Sequence, residues 1–159
     1  MTAVIEERYM RQALALAEEA GAAGDIPVGC VIVKDGAVIG QGRNRREALG
    51  DATAHAEIEA IRAACQAVGG WRLTGCTLYV TLEPCPMCAG AILNARLDRV
   101  VYGAGNPKAG CCGGVIALFQ ERFNHHPAVY GGVLEQACAQ ILGRFFRPAG
   151  KNFQNVTQL

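Results

Sequence analysis

TLYVTLEPCPMC is the stretch from Thr77 to Cys88, and it joins a strand pattern directly to the start of a helix. Its first half, Thr77–Leu82, is rich in β-branched and apolar side chains, which is typical of a buried strand. Pro86 is tolerated in a first helical turn, so we predict that a helix begins near this residue. A strand that leads straight into a helix is characteristic of α/β proteins.

The rest of the chain continues this alternation. Helical spacing and caps predict the helices, β-branched runs predict the strands, and an Asp-Gly pair between two runs predicts a hairpin. The predicted elements are a helix over 5–22, strands over 28–33 and 37–40, a helix over 54–68 capped by Thr53, the strand 77–82, the helix from Pro86, a strand over 99–102 and a helix over 135–146. A loop is expected over 103–114. This order predicts a sheet with helices on both faces.

Length and composition indicate one domain that spans residues 1–159. The chain is 51% hydrophobic and 18% charged, which predicts a real core and argues against disorder. Its net charge of +1 gives no overall attraction to nucleic acid, so any RNA contact must depend on a local basic patch. We expect the tail, residues 148–159, to be loosely ordered.

Eight cysteines are a high number for a chain of 159 residues. Glu6, Glu7 and Arg8 interrupt the N-terminus before an apolar run can form, so no signal peptide is expected. We also expect no membrane span, because no stretch is apolar for long enough. The expected compartment is a reducing cytoplasm, where closely spaced cysteines bind metal or do redox chemistry more often than they form disulfides.

Two short motifs supply a set of metal ligands. Cys85 and Cys88 are separated by two residues, which suits one metal ion at the start of a helix, where the positive helix end favours thiolates. His55, at the start of another predicted helix, can supply a third ligand. Three protein ligands leave a fourth position for water, which is the pattern of a catalytic zinc and not of a structural one.

Glu57 adds an acid–base group two residues after His55. It is close enough to reach a zinc-bound water, whose pKa zinc lowers to about 7, without being a ligand itself. A carboxylate in this place can take the proton of the water and return it to a leaving amine. The motifs therefore predict hydrolytic deamination, at the sheet edge where α/β folds usually bind ligands.

The two motifs resemble the signature of the cytidine deaminase superfamily, in which His-x-Glu is followed by Pro-Cys-x-x-Cys. The resemblance is greatest to the branch of the bacterial tRNA adenosine deaminases, and it extends over nearly the whole chain. The stretches that carry it are PVG at 27–29, DATAHAEI at 51–58, LYVTLEPCPMCAGA at 78–91, RVVYGA at 99–104 and FFR at 145–147.

This resemblance implies a three-layer α/β/α sandwich around a mixed five-stranded sheet, in a homodimer with one zinc per chain. The implied substrate is the wobble adenosine of a tRNA anticodon loop, which becomes inosine. It further implies that Asn44 hydrogen-bonds the extruded base and that Val28 packs against its ring. The backbones of Ala56 and Pro84 would line the same pocket. In an alternative interpretation, Asn44 is only a turn residue after the second hairpin strand.

The chain departs from this family in three places. The tail carries one basic residue, Lys151, where family members often end in a more basic helix that contacts RNA. Asn106 stands where many members carry an acid near the substrate ribose. A neutral amide accepts a hydrogen bond from the ribose 2′-hydroxyl more weakly than a carboxylate does. We therefore expect less discrimination between RNA and DNA. Cys111 and Cys112 occupy a loop position that is usually small and neutral, and we assign them no chemical role.

A local basic patch surrounds Asn44. The candidates for RNA contacts are Arg43, Arg45, Arg46, Lys108, Asn124, His125 and Arg147. Arginines beside an extruded base can bind phosphates and stack on neighbouring bases. A solvated surface loop would carry the same charges, so this alternative stays open.

Three other functions share parts of the pattern. A deaminase of a free base or nucleoside, such as guanine or cytosine, would use the same zinc site, and a closed pocket would favour it. A structural zinc module for interactions would need a fourth ligand, and a redox enzyme would leave His55 and Glu57 without a role. The candidates for a fourth ligand, by residue type alone, are Cys30, Cys65, Cys76 and Cys138.

Overall fold

The computed structural model describes residues 4–147, and it shows the alternation of helices and strands that the sequence predicts. The elements are α1 (Glu7–Ala22), β1 (Gly29–Lys34), β2 (Ala37–Arg43), α2 (Arg46–Leu49), α3 (Ala56–Val68), β3 (Thr77–Leu82), α4 (Pro86–Ala95), β4 (Arg99–Ala104), β5 (Ala128–Tyr130) and α5 (Glu135–Phe146). The expectation of a loosely ordered tail falls on residues outside this range.

The strands form one mixed sheet in the order β2-β1-β3-β4-β5. The β1 strand runs antiparallel to both of its neighbours, whereas β3, β4 and β5 are parallel to one another. The predicted hairpin between β1 and β2 is confirmed. Its turn residues Asp35 and Gly36 both have positive φ, 50° and 76°, as a two-residue turn of this hand requires.

Helices cover both faces of this sheet. On one face α1 packs against β1 and β3, and α5 packs against β4 and α1. On the other face α3 packs against β1 and β2 and also contacts α4. The central strands β1 and β3 are almost completely buried, because neither of their faces meets solvent. The predicted α/β/α sandwich around a mixed five-stranded sheet is thereby confirmed.

Two details of the predicted elements were wrong. Thr53 does not cap the helix that follows it, because its backbone N–H and its hydroxyl both donate to Asp51 Oδ1, at 2.8 and 2.7 Å. The cap position is occupied by His55, and α3 begins at Ala56. The second hairpin strand continues past residue 40 to Arg43, where it still pairs with β1.

Within this longer strand, β2 and α3 approach each other closely at Gly40. A Cβ atom at Gly40 would meet the carbonyl oxygen of Ala60 and would lie 2.7 Å from the backbone nitrogen of Ala64. Both of these atoms belong to the helix backbone, so they cannot move aside independently. A glycine at this position lets α3 lie directly on the sheet.

We therefore expect Gly40→Ala to lower the free energy of unfolding by about 1–3 kcal/mol, because overpacking forces the helix away from the sheet. Gly70→Ala is the matched control, since a Cβ there meets nothing within 4 Å and it lies outside the helices and strands. Denaturant unfolding of both variants measures the difference. Equal midpoints for the two variants would contradict this account of the packing.

Among residues 4–147, no helix has both the length and the apolar character that crossing a membrane requires.

Candidate active site

The candidate site lies where the carboxyl end of β3 meets the amino ends of α3 and α4. β3 ends at Leu82, and three residues later Cys85 is the N-cap of α4, with Pro86 in its first turn. His55 is the N-cap of α3. Both predicted motifs thus lie at helix starts on one edge of the sheet, as open α/β folds commonly arrange a ligand site.

His55, Cys85 and Cys88 form a cluster whose ligand atoms all lie within 4.8 Å of one another. The Sγ atoms of Cys85 and Cys88 are 3.6 and 3.5 Å from His55 Nδ1. A tetrahedral zinc with bonds of about 2.3 Å to sulfur and about 2.0 Å to nitrogen would place these atoms about 3.6 Å apart. The donor set and its spacing therefore fit zinc.

Among the described residues, no fourth His, Cys, Asp or Glu joins this cluster. The four cysteines considered as candidates for a fourth ligand lie elsewhere, as free thiols. A three-residue set is the kind that catalytic zinc sites use. The loop residues Cys111 and Cys112 are also free thiols and belong to no metal-binding group in residues 4–147.

The side chains of the cluster form hydrogen bonds with one another, and these bonds shift their pKa values. The hydrogen bond from the Cys88 thiol, with that of His55, lowers the pKa of Cys85 to about 4. The pKa of Cys88 is raised, because it donates to Cys85 and is buried. The bond to Cys85 also raises the pKa of His55. One thiolate is therefore stable before any metal binds, which favours capture of a cation.

Glu57 lies in the first turn of α3 and is 4% exposed. Burial raises the pKa of its carboxyl to about 7, although the nearby His55 partly opposes this shift. A carboxyl of this kind can both accept and release a proton near neutral pH, which is the property of a general acid–base group.

One pocket borders the cluster and Glu57. Its wall contains predicted residues from five separate parts of the chain. They are Val28, Asn44, Arg46, His55, Glu57, Cys85 and Asn106. Three lining residues were not singled out from the sequence, namely Ile26, Leu82 and Glu83. Ile26 and Leu82 are ordinary apolar residues near strand ends, whereas Glu83 is an acid directly after a fully buried strand.

Asn44 lies in the pocket wall and also ties three segments together. Its Nδ2 donates to the carbonyl of Ile26 at 3.1 Å, and its Oδ1 accepts from the N–H of Ala56 at 3.1 Å. The second of these bonds satisfies a backbone donor at the start of α3. An amide has a second N–H and a second lone pair, so Asn44 can make these bonds and still contact a base.

The loop after β4 forms the opposite side of the pocket. Asn106 is 2% exposed, and its Oδ1 accepts from the N–H groups of Lys108 and Ala109, at 3.2 and 3.1 Å. The carbonyl of Pro84 accepts from the N–H of Cys111 at 2.9 Å. The side-chain oxygen of Asn106 therefore shapes the loop that borders the pocket.

The predicted RNA contacts divide into two groups. Arg46 lines the pocket, and the neighbouring Arg45 is held by an ion pair with Glu59 at 2.8 Å. His125, in contrast, donates from Nε2 to the carbonyl of Leu97 at 2.6 Å, just before the amino end of β4. Because β3 and β4 are parallel, this position is at the opposite end of the sheet from the pocket.

The other candidate RNA contacts differ in how exposed their side chains are. Lys108, Asn124 and Arg147 are exposed, and Arg43 is half-buried at the end of β2. Lys108 belongs to the loop that carries Asn106, and Arg147 follows α5. The structure thus places Lys108 with the pocket and places Asn124 next to the distant His125.

Comparison with known proteins agrees with this site. Residues 5–149 match the family described as MafB19-like deaminase. The tRNA-specific adenosine deaminase of Bacillus subtilis (strain 168) is 49% identical over 147 residues, which cover 92% of this chain and 91% of that protein.

Two solved structures are also similar. One comes from studies of tRNA deaminases that carry out A-to-I editing at the wobble position. It has a TM-score of 0.82 and 47% identity, and the match covers 86% of this chain and 99% of that one. A guanine deaminase from Bacillus subtilis has a TM-score of 0.61 and 48% identity, over 64% of this chain and 66% of that one.

The fold, the His-Cys-Cys cluster and the buried glutamate define a deaminase of the cytidine deaminase-like class. Within that class, the chain belongs to the family of the tRNA-specific adenosine deaminases.

Proposed function

We propose that this chain hydrolyses the wobble adenosine of a tRNA anticodon loop to inosine, with release of ammonia. The observation that carries the proposal is the pocket in which Glu57 and the His55–Cys85–Cys88 cluster meet. This pocket occurs in a chain that is 49% identical to a tRNA-specific adenosine deaminase over almost the full length of both.

We further propose one zinc ion per chain, held by His55, Cys85 and Cys88. When bound, zinc supplies a Lewis acid that lowers the pKa of a water to about 7, so that the water becomes a nucleophile at neutral pH. The three side chains come from two helix starts, so their positions are fixed by the backbone of α3 and α4.

Glu57 moves the protons of the reaction. Its carboxylate would carry both protons of the attacking water in turn, the first to ring N1 as the C6–O bond forms and the second to the amine as the C6–N bond breaks. The water oxygen becomes the carbonyl of inosine, so one water is consumed and one ammonia is released. Its pKa of about 7 suits both directions of transfer. The pocket walls at Val28 and Asn44 would hold the base over this carboxylate, and the backbones of Ala56 and Pro84 would complete the pocket.

Arg46 lines the pocket, and the exposed Lys108 lies two residues after the lining residue Asn106. We propose that both contact RNA phosphates near the target base. Arg43, Arg45 and Arg147 would extend this surface. Asn124 and His125 lie at the opposite end of the sheet from the pocket, so we propose that any contact they make with RNA is away from the target base of the same subunit.

A deaminase of a free base is the second candidate, favoured by the similarity to a guanine deaminase. That match covers a smaller share of both chains and has a lower TM-score than the tRNA deaminase structure. Incubation of the purified protein with total tRNA, and in parallel with guanine, cytosine and free nucleosides, separates the two. We expect inosine in the tRNA and no turnover of the free compounds; the reverse result would establish the second candidate.

Asn106→Asp should increase the preference for RNA over DNA. An aspartate can accept the same two N–H groups that hold the loop, so the loop should keep its shape. The added charge would bond a ribose 2′-hydroxyl more strongly. The measurement compares deamination of two matched stem-loops, one of RNA and one with a deoxy target residue. An unchanged ratio between wild type and variant would mean that residue 106 does not distinguish the sugars.

We also propose a homodimer, which the family resemblance favours. Exposed apolar side chains at Val115, Ile116 and Phe123 give the surface an apolar area that a second copy could cover. Light scattering at micromolar protein should give about twice the chain mass of 16.8 kDa. A mass of one chain at that concentration would refute the dimer.

We place this activity in the cytoplasm. All eight cysteines lie within the described residues and all are free thiols, as a reducing compartment maintains them.

A further inference from the structure

A buried carboxylate stands directly between β3 and the metal ligands. Glu83 follows the last residue of β3, precedes Pro84 and Cys85, and is 3% exposed. Three backbone N–H groups converge on it. The N–H of Asn106 donates to Oε1 at 3.0 Å, and those of Cys112 and Gly114 donate to Oε2 at 2.7 and 2.8 Å.

All three donors belong to the single loop of residues 105–114, which we call the pocket loop. Two glycines of the pocket loop make room for the carboxylate. A Cβ at Gly114 would lie 2.9 Å from Glu83 Oε1, and one at Gly110 would overlap the carboxyl group itself. The pocket loop therefore folds around Glu83 and not merely beside it.

The same loop forms a wall of the active site through Asn106. It is joined to the metal-ligand segment by one further bond, from the N–H of Cys111 to the carbonyl of Pro84 at 2.9 Å. The backbone N–H of Glu83 donates to the carbonyl of Ala104 at 2.9 Å, which anchors the glutamate to the end of β4. Glu83 thus lies at the junction of the pocket loop, β4 and the segment that carries Cys85.

We propose that Glu83 is a positioning residue, whose carboxylate holds the pocket loop at a fixed distance from Cys85 and thereby sets how tightly the target nucleotide binds. Ionised acceptors form stronger bonds than neutral ones, so one carboxylate can order a loop that contains several glycines. The nature of the nucleotide rests on the proposed function above, whereas the link between Glu83 and the loop does not.

Glu83→Gln tests the link, because it keeps the shape of the side chain but replaces one acceptor oxygen with an NH₂ group. At least one of the three N–H groups then faces another donor. We expect hydrogen exchange at Asn106, Cys112 and Gly114 to accelerate by about tenfold or more, with α1 unchanged. Glu19→Gln, at an exposed position of α1, is the control for the loss of charge. Unchanged exchange in the pocket loop, or equal acceleration in α1, would overturn the proposal.

The kinetic test uses the zinc-loaded Glu83→Gln enzyme and a tRNA anticodon stem-loop. The proposal has the pocket loop contact substrate in the ground state and the transition state alike, so KM should rise by about tenfold or more while kcat per bound zinc stays within about threefold. A loss of zinc, or a fall in kcat at unchanged KM, would assign Glu83 to the metal site and would overturn the proposal.

Gly114→Ala offers a second route to the same change, which also serves if Glu83→Gln does not fold. Its Cβ would press first on the carbonyl oxygen of Asn106 and also on the Glu83 carboxylate, so the same loop amides should exchange faster and KM should rise. If both variants act on one link, their effects in the double variant should be clearly less than additive. Full additivity would count against a shared link. If the wild type forms no inosine, the proposed function fails, while the exchange measurement still decides the role of Glu83.

Discussion

Glu57→Ala is expected to lower the rate of deamination by about 10²–10⁴-fold, which is the usual contribution of a general acid–base group. The side chain is 4% exposed and faces the pocket beside the metal cluster. Because it is not a ligand, its removal should leave zinc content unchanged. Steady-state inosine formation, normalised to bound zinc, measures the effect.

Glu57→Gln is the companion variant, because glutamine fills the same space but has no carboxyl group to accept and release a proton. It should be as inactive as Glu57→Ala. It should also keep the unfolding midpoint of the wild type, because the neutral amide fills the same space and leaves no charge buried. Activity of either variant within a few-fold of wild type would rule out Glu57 as the proton carrier.

Cys85→Ala is expected to reduce bound zinc from about one ion per chain to nearly none, and to abolish activity with it. Two remaining ligands, His55 and Cys88, cannot hold zinc in the geometry that a catalytic site requires. Metal analysis of the purified variant after dialysis is the direct measurement. Full zinc occupancy in Cys85→Ala would refute the ligand assignment.

Cys76→Ala is the matched control for this experiment. Cys76 is 1% exposed, so the change also removes a buried thiol, but it lies at the opposite end of β3 from the cluster. Its zinc content should equal that of the wild type. A similar loss of zinc in both variants would show that burial, and not ligation, explains the effect.

Elements with strong local signals could be predicted from the sequence to the residue. β3 and the start of α4 follow from a β-branched run and from a proline that suits a first helical turn, and α5 also has the predicted bounds. Two elements were not predicted. β5 has three residues, all exposed, and α2 has four residues of mixed polarity, so neither carries a periodic pattern long enough to recognise.

The differences in the hairpin and at α3 have a common cause in tertiary contacts. Gly40 and Gly42 weaken a strand pattern, yet both lie in β2, because α3 packs too closely there for any side chain. Thr53 has the chemistry of a helix cap, but Asp51 takes its hydrogen bonds. Neither the packing distance nor this competition is visible in a local pattern.

The active-site chemistry was more predictable than the pocket that surrounds it. The candidate ligands and Glu57 follow from residue type and spacing, because zinc coordination needs Cys and His donors close together. The role of Glu83 depends on donors located 23 to 31 residues later, which local spacing does not reveal. The available signal was an acid directly after a fully buried strand, together with a glycine-rich loop. The position of His125 was likewise not predictable, because it depends on the path of the chain after β4, which brings His125 back to Leu97.

The most direct test of the central claim is position-resolved detection of inosine in an anticodon stem-loop. Two RNAs are compared, one with its single loop adenosine at the wobble position and one with that adenosine moved to the next anticodon position. We predict that the zinc-loaded protein forms inosine in the first RNA and not in the second, and that Glu57→Gln forms none in either. No inosine in the first RNA, from protein with full zinc occupancy, would contradict the account.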